Sequence, residues 1–311
     1  MTFLRWIGWA MLAVTGGLLL LRYLPLRHPG LISLVVAVPY LPFVMLPATV
    51  GLLASREWIG SAIGITLITL TLGTQLTIPG SPPPTGDQLR VLSINVAKGT
   101  AESQSTLTTA REQNADIVAI QELTPAFQQR LTEGGINDAF PYSIVRAGQG
   151  ATGTGLWSRI PLAHTRELDN FGFACVAATF EFDGAMFDIV ATHITAPVQD
   201  QDSSAWVSDL AEISNVIQSN PYPTIIAGDF NSTLDHKQFR DVLHLETADA
   251  ARQAGRSYAT TFPADWSLPP FTALDHILVP KPLRATDFRT VRVTGSDHLG
   301  IVSTLASRGS R

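Results

Sequence analysis

Acidic, amide and histidine side chains recur at the ends of short apolar segments in the C-terminal two thirds of the chain. Such segments have the length and composition of β-strands, whose ends a sheet holds in fixed positions. The residues at these ends are Asn95, Glu122, His193, Asp229, Asn231, Asp275, Asp297 and His298. Each alone has an ordinary explanation, because Asp and Asn favour turns and a histidine at a strand end is commonly solvated. As a set, they predict one cleft lined by carboxylates, amides and imidazoles.

The donor types in this set favour a hard divalent cation. Mg²⁺ prefers oxygen ligands, keeps several waters and takes one or two carboxylates, with a substrate phosphate completing its shell. Histidines at the same cleft can transfer protons or stabilise charge near neutral pH. The single cysteine, Cys175, excludes a thiolate zinc site, and the sequence has neither a G-x-S-x-G elbow nor a nucleotide-binding glycine loop. We therefore predict a cleft that binds a hard divalent cation, with Mg²⁺ as cofactor and Mn²⁺ as the alternative ion, beside histidines that transfer protons or stabilise charge.

The strands that carry these residues belong to an α/β pattern that begins near residue 88. Residues 89–96 alternate apolar and polar positions, as a half-buried strand does, and residues 224–227 are fully apolar, as central strands are. Apolar residues at helical spacing predict a longer helix at about residues 203–219. Many strands with few helices between them favour a large sandwich of sheets flanked by helices.

The first 85 residues differ in composition from the rest of the chain. Of all 311 residues, 45% are hydrophobic and 15% are charged, against about 25% charged in a typical soluble protein. Residues 1–85 hold four basic residues and one acid, a net charge of +3, so the total of −5 leaves −8 for residues 86–311. An acidic domain of this kind does not favour tight, sequence-independent binding to long nucleic acid, which depends on Lys and Arg.

Three apolar stretches in this first part are predicted to be transmembrane helices. Residues 6–21, 31–54 and 58–78 contain no charged side chain, and each is near the length that crosses a bilayer. A cleaved signal peptide is the alternative for the first stretch. Arg22 and Arg27 follow that stretch without a small-residue cleavage site, which favours a retained helix.

The chain is thus predicted to have three parts. Residues 1–79 are a membrane anchor that passes through the lipid bilayer of a cell membrane several times. Residues 80–87, rich in proline and glycine, are a stiff linker that lifts the next domain off the bilayer. Residues 88–311 are the catalytic domain. Basic residues are nearly balanced between the two sides and do not decide the orientation; three spans with the N-terminus inside favour an extracytoplasmic catalytic domain.

In order and spacing, the segments that carry the polar residues resemble the motifs of the endonuclease/exonuclease/phosphatase superfamily, the DNase I-like proteins. LSINVAKG is similar to the opening asparagine motif of that superfamily, and DIVAIQE is similar to its glutamate motif. The later motifs of the superfamily are matched by five further segments of this sequence: GLWSRIPL, ATHITAP, GDFNSTLD, LDHILV and GSDHLGIVSTL. The resemblance covers residues 88–305 and implies a DNase I-like four-layered α/β sandwich. Membrane-anchored bacterial members of the superfamily are a familiar arrangement, which the three N-terminal helices match.

The resemblance implies a metal-binding role for three residues. Glu122 would coordinate the essential Mg²⁺, with Asn95 beside it as a ligand or a positioning group. Asp297 would help to hold the metal ion or a water molecule.

The resemblance implies catalytic roles for five others. Asp229 would orient or deprotonate the attacking water, and Asn231 would hold a phosphate oxygen. His298, oriented by Asp275 through its other ring nitrogen, would contact the scissile phosphoryl group and stabilise its charge. His193 would donate a hydrogen bond to a non-bridging oxygen or to the leaving group.

Two aromatic residues, Phe262 and Trp266, are predicted to line the substrate cleft, with a local cap over the core as the alternative. The whole pattern predicts a membrane-anchored, Mg²⁺-dependent phosphoesterase that acts on a phosphodiester or phosphomonoester, with a lipid-linked phosphoester as substrate. A nuclease acting on DNA or RNA, and a non-catalytic binding module tethered to the membrane, are the alternatives. No obligate protein partner is evident from the sequence.

Overall fold

The computed structural model of the protein describes residues 2–76, 86–198, 203–256 and 259–308, so the predicted linker lies largely outside the described residues. A 3₁₀ turn, Val38–Tyr40, separates the second helix from the third. The helices are α1 (Thr2–Leu21), α2 (Pro29–Val35), α3 (Leu41–Ala54), α4 (Trp58–Gln75), α5 (Ser103–Glu112), α6 (Pro125–Glu133), α7 (Ile136–Ala139), α8 (Ser204–Ser219), α9 (Lys237–Leu243) and α10 (Ala250–Gln253). The strands are β1 (Gln88–Asn95), β2 (Ile117–Gln121), β3 (Tyr142–Arg146), β4 (Thr154–Ser158), β5 (Ala163–Leu168), β6 (Cys175–Phe182), β7 (Ala185–His193), β8 (Thr224–Asp229), β9 (Thr247–Asp249), β10 (Asp275–Pro280), β11 (Leu283–Arg292) and β12 (Leu299–Ser307).

The strands form two six-stranded sheets. The first has the order β11-β12-β1-β2-β4-β3, and the second has the order β5-β6-β7-β8-β10-β9. Each sheet contains one parallel pair near its centre, β1 with β2 and β7 with β8, and the neighbouring strands are antiparallel. A parallel pair needs a crossover connection, which α5 supplies in the first sheet and α8 in the second. The carboxyl ends of each parallel pair therefore lie at the same edge of its sheet.

The two sheets pack face to face over an apolar core. Val91 and Ile117 of the first sheet belong to the same buried cluster as Ile189, Ala227 and Ile277 of the second. Successive side chains of a strand point to opposite faces, so these residues represent the inner face of each sheet. The core between the sheets holds the strand ends of both at fixed positions.

Helices cover the outer face of each sheet. α5 and α6 bury Leu107 and Phe127 against the first sheet, and α8 and α9 bury Trp206 and Phe239 against the second. The order of layers is helices, sheet, sheet, helices. The predicted four-layered α/β sandwich is therefore confirmed for the catalytic domain.

The N-terminal region differs from the prediction in its second apolar stretch, which is not one helix. α2 ends at Val35, the chain turns at Pro39, and α3 begins at Leu41 at an angle of 40°. Proline lacks the N–H that an uninterrupted helix uses, which accounts for the break. α3 has 14 residues, so its length is about 21 Å, less than the roughly 30 Å of a bilayer core.

Within the described residues, α4 is the one helix that is both long and apolar enough to cross a membrane by itself. The bent pair of α2 and α3 qualifies as a second only when it is counted as one broken span. The part of α1 from Arg5 to Leu21 is apolar but shorter. The structure therefore does not support three independent transmembrane helices.

The catalytic domain packs directly on the N-terminal helices through polar contacts. Arg22 follows α1, and its Nε donates to Asp235 Oδ1 at 2.6 Å; both side chains are almost completely buried. Gln75, at the end of α4, donates to the same oxygen at 3.1 Å. His236 Nε2 donates to the carbonyl oxygen of Ile32 in α2 at 3.0 Å. The domain is thus attached to these helices in a defined orientation instead of being held away from them.

The variant Asp235→Ala is expected to lower the free energy of unfolding by about 3–5 kcal/mol, because it leaves the buried guanidinium of Arg22 without its carboxylate. Thermal unfolding of the full chain in detergent measures the loss. Asp241→Ala is the matched control: it breaks an exposed ion pair with Lys237 and is expected to cost less than about 1 kcal/mol. Equal melting temperatures for the two variants would contradict a stabilising role for the buried pair.

Candidate active site

Strand register brings the predicted residues to one edge that the two sheets share. In the first sheet, Asn95 ends β1 and Glu122 follows the parallel strand β2. In the second sheet, His193 at the end of β7 lies opposite Asp229 at the end of β8. Asp229 is also paired with Asp275, the first residue of the antiparallel strand β10. Register therefore aligns these residues within each sheet, and the packing of the two sheets brings the five segments to one place.

A cleft of about 830 Å³ opens at this edge. The predicted residues that line it are Glu122, His193, Asp229, Asn231, Phe262, Asp297 and His298. Asn95 and Asp275 lie behind this lining, and each is hydrogen-bonded to a residue that belongs to it. The structure thus brings together all the predicted site residues except Trp266.

Two of the predicted cleft residues have a left-handed backbone. Glu122 has φ +58° and Asn231 has φ +46°. Asparagine tolerates this conformation, whereas for glutamate it is uncommon and costs free energy. Strained residues persist where the surrounding structure determines them and are concentrated at functional sites. The strain at Glu122 therefore marks the end of β2 as a position where the orientation of the side chain matters.

His298 and Asp275 form a buried hydrogen-bonded pair. His298 Nδ1 donates to Asp275 Oδ2 at 2.9 Å, and His298 Nε2 lies 3.7 Å from Asp229 Oδ2. Burial alone would lower the pKa of His298, but the carboxylates of Asp275 and Asp229 outweigh it and raise the pKa to about 10. The imidazole therefore carries a positive charge at neutral pH. A charged donor in this position can stabilise negative charge that develops on a phosphoryl group.

Asp229 is held in place from two sides. Asn95 Nδ2 donates to Asp229 Oδ2 at 3.0 Å, and the backbone N–H of Asn231 donates to Asp229 Oδ1 at 2.8 Å. Burial raises the pKa of Asp229, an effect that the imidazole of His298 partly offsets, and a raised pKa makes the carboxylate a stronger base. Asn95 Oδ1 already accepts from the N–H of Ala97 at 2.9 Å. This geometry favours the positioning role predicted for Asn95 over the ligand role.

His193 faces the same carboxylate from the other side. Its Nδ1 donates to the carbonyl oxygen of Ala151 at 3.1 Å, which directs Nε2 toward the cleft. Nε2 lies 3.6 Å from Asp229 Oδ2, 3.9 Å from Glu122 Oε1 and 3.3 Å from Asn231 Nδ2. In its neutral form this nitrogen accepts from the Asn231 amide, and once protonated it becomes a second donor into the cleft.

The acidic side of the cleft fits a hard divalent cation. Glu122 and the half-buried Asp297 both line it, and burial raises the pKa of Asp297. Asp229, Asp275 and His298 form a buried group whose ligand atoms all lie within 4.8 Å of one another. Among the described residues, Asp275 Oδ1 has no hydrogen-bond partner. An uncompensated buried carboxylate oxygen is costly, and a nearby cation reduces that cost.

Aromatic rings flank both histidines. Phe262, as predicted, lines the cleft, with its ring 4.8 Å from the imidazole of His298. Phe173 packs in the same way 4.9 Å from His193, and sequence reasoning missed it because it lies in a loop without a recognisable pattern. Trp266 is 59% exposed and lies outside the cleft lining, so it does not occupy the position predicted for it.

Two basic residues of the cleft were also missed. Lys98 and Arg292 line it, and Arg292 Nη1 donates to the carbonyl oxygen of Ala264 at 2.9 Å. Lys98 lies three positions after Asn95 in the segment LSINVAKG, and that proximity was a usable signal. Arg292 is the last residue of β11, a strand that no sequence motif marks.

Comparison with known proteins identifies the family of this fold and site. The sequence profile of the Endonuclease/Exonuclease/phosphatase family matches residues 92–298, two thirds of the chain. The chain belongs to this family. No curated protein sequence matches it. The resemblance that the sequence motifs indicate is thereby confirmed at the level of the superfamily.

Solved structures show the same family fold. Humanised D. rerio TDP2 superposes with a TM-score of 0.60 at 18% identity, covering 71% of this chain and 99% of that chain. D. rerio TDP2 complexed with single-strand DNA product gives the same TM-score and identity, with 71% and 100% coverage. The endonuclease/exonuclease/phosphatase from Bacteroides vulgatus gives a TM-score of 0.58 at 16% identity, with 72% and 100% coverage. At these identities the likeness establishes the DNase I-like fold.

Membership of the endonuclease/exonuclease/phosphatase family establishes the class of enzyme. Enzymes of this family are metal-dependent, and this chain is a metal-dependent phosphoester hydrolase. The assembled site agrees with that class, since a base, the charged imidazole of His298 and carboxylates suited to a metal ion share one cleft. The alternative of a non-catalytic binding module is therefore not supported.

The charged His298 is expected to make the stability of the metal-free protein depend on pH. Its pKa rises from 6.5 in the unfolded chain to about 10 in the folded protein. Its stabilising effect is therefore complete below pH 6.5, declines between pH 6.5 and 10, and is absent above pH 10. In EDTA, the melting temperature of the wild type should fall more steeply from pH 7 to 10 than that of His298→Gln. Parallel curves for the two proteins would show that His298 is not charged.

Proposed function

We propose that this enzyme is a membrane-attached, Mg²⁺-dependent phosphoesterase that hydrolyses a phosphodiester or phosphomonoester by in-line attack of water. One observation carries the proposal: the buried carboxylate of Asp229 lies between two imidazole nitrogens, 3.6 Å from His193 and 3.7 Å from His298. Glu122 lines the cleft beside them, 3.9 Å from His193 Nε2. A base, two donors and a carboxylate suited to a metal ion thus line one cleft.

Asp229 acts as the general base for the attacking water. Its carboxylate, fixed by Asn95 and by the backbone of Asn231, holds this water and takes its proton as the water oxygen bonds to phosphorus. Burial raises the pKa of Asp229, which favours this transfer. Water activated in this way displaces the alcohol oxygen on the opposite side of the phosphorus atom.

The two histidines donate hydrogen bonds to the phosphoryl group of the substrate. His298, kept charged by Asp275, donates its Nε2–H to one of them, and His193 donates to a second oxygen or to the leaving group. Mg²⁺ held by Glu122 with Asp297 would neutralise charge on the phosphoryl oxygens. Mn²⁺, which accepts the same oxygen ligands, is the alternative ion.

The variant Glu122→Gln is expected to lower kcat/KM for bis(p-nitrophenyl) phosphate by roughly a hundredfold or more, because the amide removes the charge that holds the metal ion. EDTA should abolish wild-type hydrolysis, and added Mg²⁺ should restore it. Glu112→Gln, which changes an exposed glutamate at the end of α5, is the matched control and should be unaffected. Full hydrolysis by Glu122→Gln in the presence of EDTA would refute the assigned role.

The exposed apolar side chains of the N-terminal helices support membrane attachment. Among the described residues, 27 large apolar side chains are exposed, and 21 of them belong to residues 2–76. Phe43 is 78% exposed and Ile59 is 74% exposed. Exposure of so many large apolar side chains is unfavourable in water and is typical of a surface that meets lipid or another apolar surface.

The contacts at the helix ends support three passes through the membrane. At one end Arg5 lies 2.9 Å from Glu57, and at the other end Arg22 and Gln75 both reach Asp235. α1 and α4 therefore run side by side in the same direction, with α3 returning between their ends. We infer three passes, by α1, α3 and α4, which pack on one another as one bundle and not as independent spans. α2 is docked on the catalytic domain, which lies on the extracytoplasmic side.

A fusion of alkaline phosphatase after Arg311 tests this topology, because the reporter is active only after export. We expect an active fusion after Arg311 and an inactive one after Glu57, which lies at the opposite end of the helices. The full chain should also stay with the membrane fraction through a sodium carbonate wash. Activity of a cytoplasmic fluorescent reporter after Arg311 would contradict the orientation, and release by carbonate would contradict the anchor.

The substrate class that the surroundings favour is a lipid-linked phosphoester. Residues 86–311 carry a net charge of −8, and in the described residues the cleft holds Lys98 and Arg292 against four carboxylates. Binding of a nucleic-acid duplex depends on many Lys and Arg contacts to phosphates. Proximity of the cleft to apolar helices favours a substrate in the membrane instead.

A nuclease is the second candidate, and one observation favours it: a fold neighbour, D. rerio TDP2, is complexed with single-strand DNA product. Phe173 and Phe262 of the cleft offer rings on which single-stranded bases could stack. The hydrolysis assay decides between the candidates when phosphatidylglycerol vesicles and single-stranded DNA are offered in parallel.

A further inference from the structure

One loop of the catalytic domain exposes an unusual amount of apolar surface. Of the six large apolar side chains that are exposed in the described part of this domain, three lie in residues 265–271. Trp266 is 59% exposed, Leu268 is 64% exposed and Phe271 is 40% exposed. We call residues 265–271 the apolar loop. A cluster of three such residues in one loop marks a contact surface, whereas single exposed apolar residues are ordinary.

The apolar loop connects the catalytic cleft to the N-terminal helices. Phe262 and Thr272, which flank the loop, pair with each other across its base, and the ring of Phe262 packs against His298. At its end, the carbonyl oxygen of Phe271 accepts a hydrogen bond from the Tyr40 hydroxyl at 2.5 Å. The loop is therefore in direct contact with the segment between α2 and α3 while its other end lines the active site.

The lipid-facing surface begins next to this contact. Tyr40 immediately precedes α3, and Phe43, 78% exposed, follows within about 5 Å along the helix axis at 1.5 Å per residue. Leu46 and Val50 continue the exposed apolar surface along α3. The apolar loop thus lies level with the end of α3, where the surface of a bilayer around these helices would be.

The orientation of the loop relative to the helices is fixed by the buried contacts of the domain. The Arg22–Asp235 ion pair and the hydrogen bond from His236 to Ile32 hold the domain against the helices at two separate points. A domain attached in this way cannot rotate its loop away from the membrane without breaking a buried ion pair, which is costly.

We propose that the apolar loop inserts into the headgroup region of the bilayer that surrounds α1, α3 and α4, so that the cleft receives phosphoesters whose apolar part stays in the membrane. Trp266 suits this position, because its ring has an apolar body and one polar N–H. Leu268 and Phe271 supply the buried apolar area. This inference rests on the proposed membrane-attached phosphoesterase and names where its substrate enters: from the plane of the bilayer.

A fluorophore on the loop tests the insertion. Leu268→Cys in the full chain is labelled with the environment-sensitive dye NBD and reconstituted in vesicles of phosphatidylcholine and phosphatidylglycerol. The native Cys175 does not compete, because it is buried and burial raises its thiol pKa to about 12. Glu112→Cys is the control, an exposed site on the helix layer of the other sheet.

We expect the label at position 268 to emit at shorter wavelength than the label at position 112 and to be quenched by brominated lipid. The label at position 112 should be quenched by aqueous iodide only. Iodide quenching of both labels to the same degree, without an effect of brominated lipid on position 268, would overturn the proposal. So would quenching that depends on protein concentration and not on lipid, because the loop would then contact a second copy of the chain.

Hydrolysis by Leu268→Ser gives an independent test. The variant should hydrolyse phosphatidylglycerol in vesicles roughly three- to tenfold more slowly than the wild type, because part of a leucine side chain no longer enters the bilayer. Its hydrolysis of soluble bis(p-nitrophenyl) phosphate should be unchanged. Equal loss with both substrates would overturn the proposal, because the loop would then shape the cleft itself. Absence of Mg²⁺-dependent hydrolysis in the wild type would refute the proposed function, whereas the label would still report where the loop lies.

Discussion

The carboxylate of Asp229 is the group on which the site depends. It is 1% exposed at the point where both sheets end, and burial of a charge is unfavourable unless neighbours compensate it. The compensation comes from separate elements, since Asn95 belongs to the first sheet, His193 to the parallel neighbour of Asp229, and His298 to the segment before the last strand. Packing of the two sheets therefore assembles the catalytic centre, and each of these neighbours offsets part of the cost of burying the carboxylate.

The sequence was sufficient to predict which strand-end residues line the cleft. Once the strands pair in register, the residue at the end of each central strand has a fixed position at the edge of the sheet. Glu122 comes directly after an apolar strand, and a sheet with that strand at its centre places the residue at the cleft. Phe173 and Arg292 could not be predicted in this way, since each reaches the cleft from a segment whose path depends on tertiary packing. Trp266 shows the converse: its type suggested a cleft, whereas the loop directs it outward.

Hydropathy could predict that residues 31–54 are shielded from water. It could not predict whether protein or lipid shields them. Ile32 and Val35 are buried in one cluster with Trp206 and Phe239 of the catalytic domain, whereas Phe43 is almost fully exposed. A run of apolar residues has the same appearance whether it contacts protein or lipid. The break at Pro39 separates the two environments, so the first part docks on the catalytic domain and the second belongs to the anchor that we propose.

The segment after β8 joins these two roles within a few residues. Asp229 and Asn231 hold the catalytic geometry, and Asp235 and His236, a few positions later, bind the N-terminal helices. A flexible tether would only raise the local concentration of substrate, whereas contacts this close to the catalytic residues also set the direction in which the cleft opens. Such a connection favours an enzyme whose substrate lies at a constant distance and angle from the N-terminal helices. With the membrane attachment that we propose, a phosphoester embedded in the bilayer has this property, and a freely diffusing nucleic acid does not.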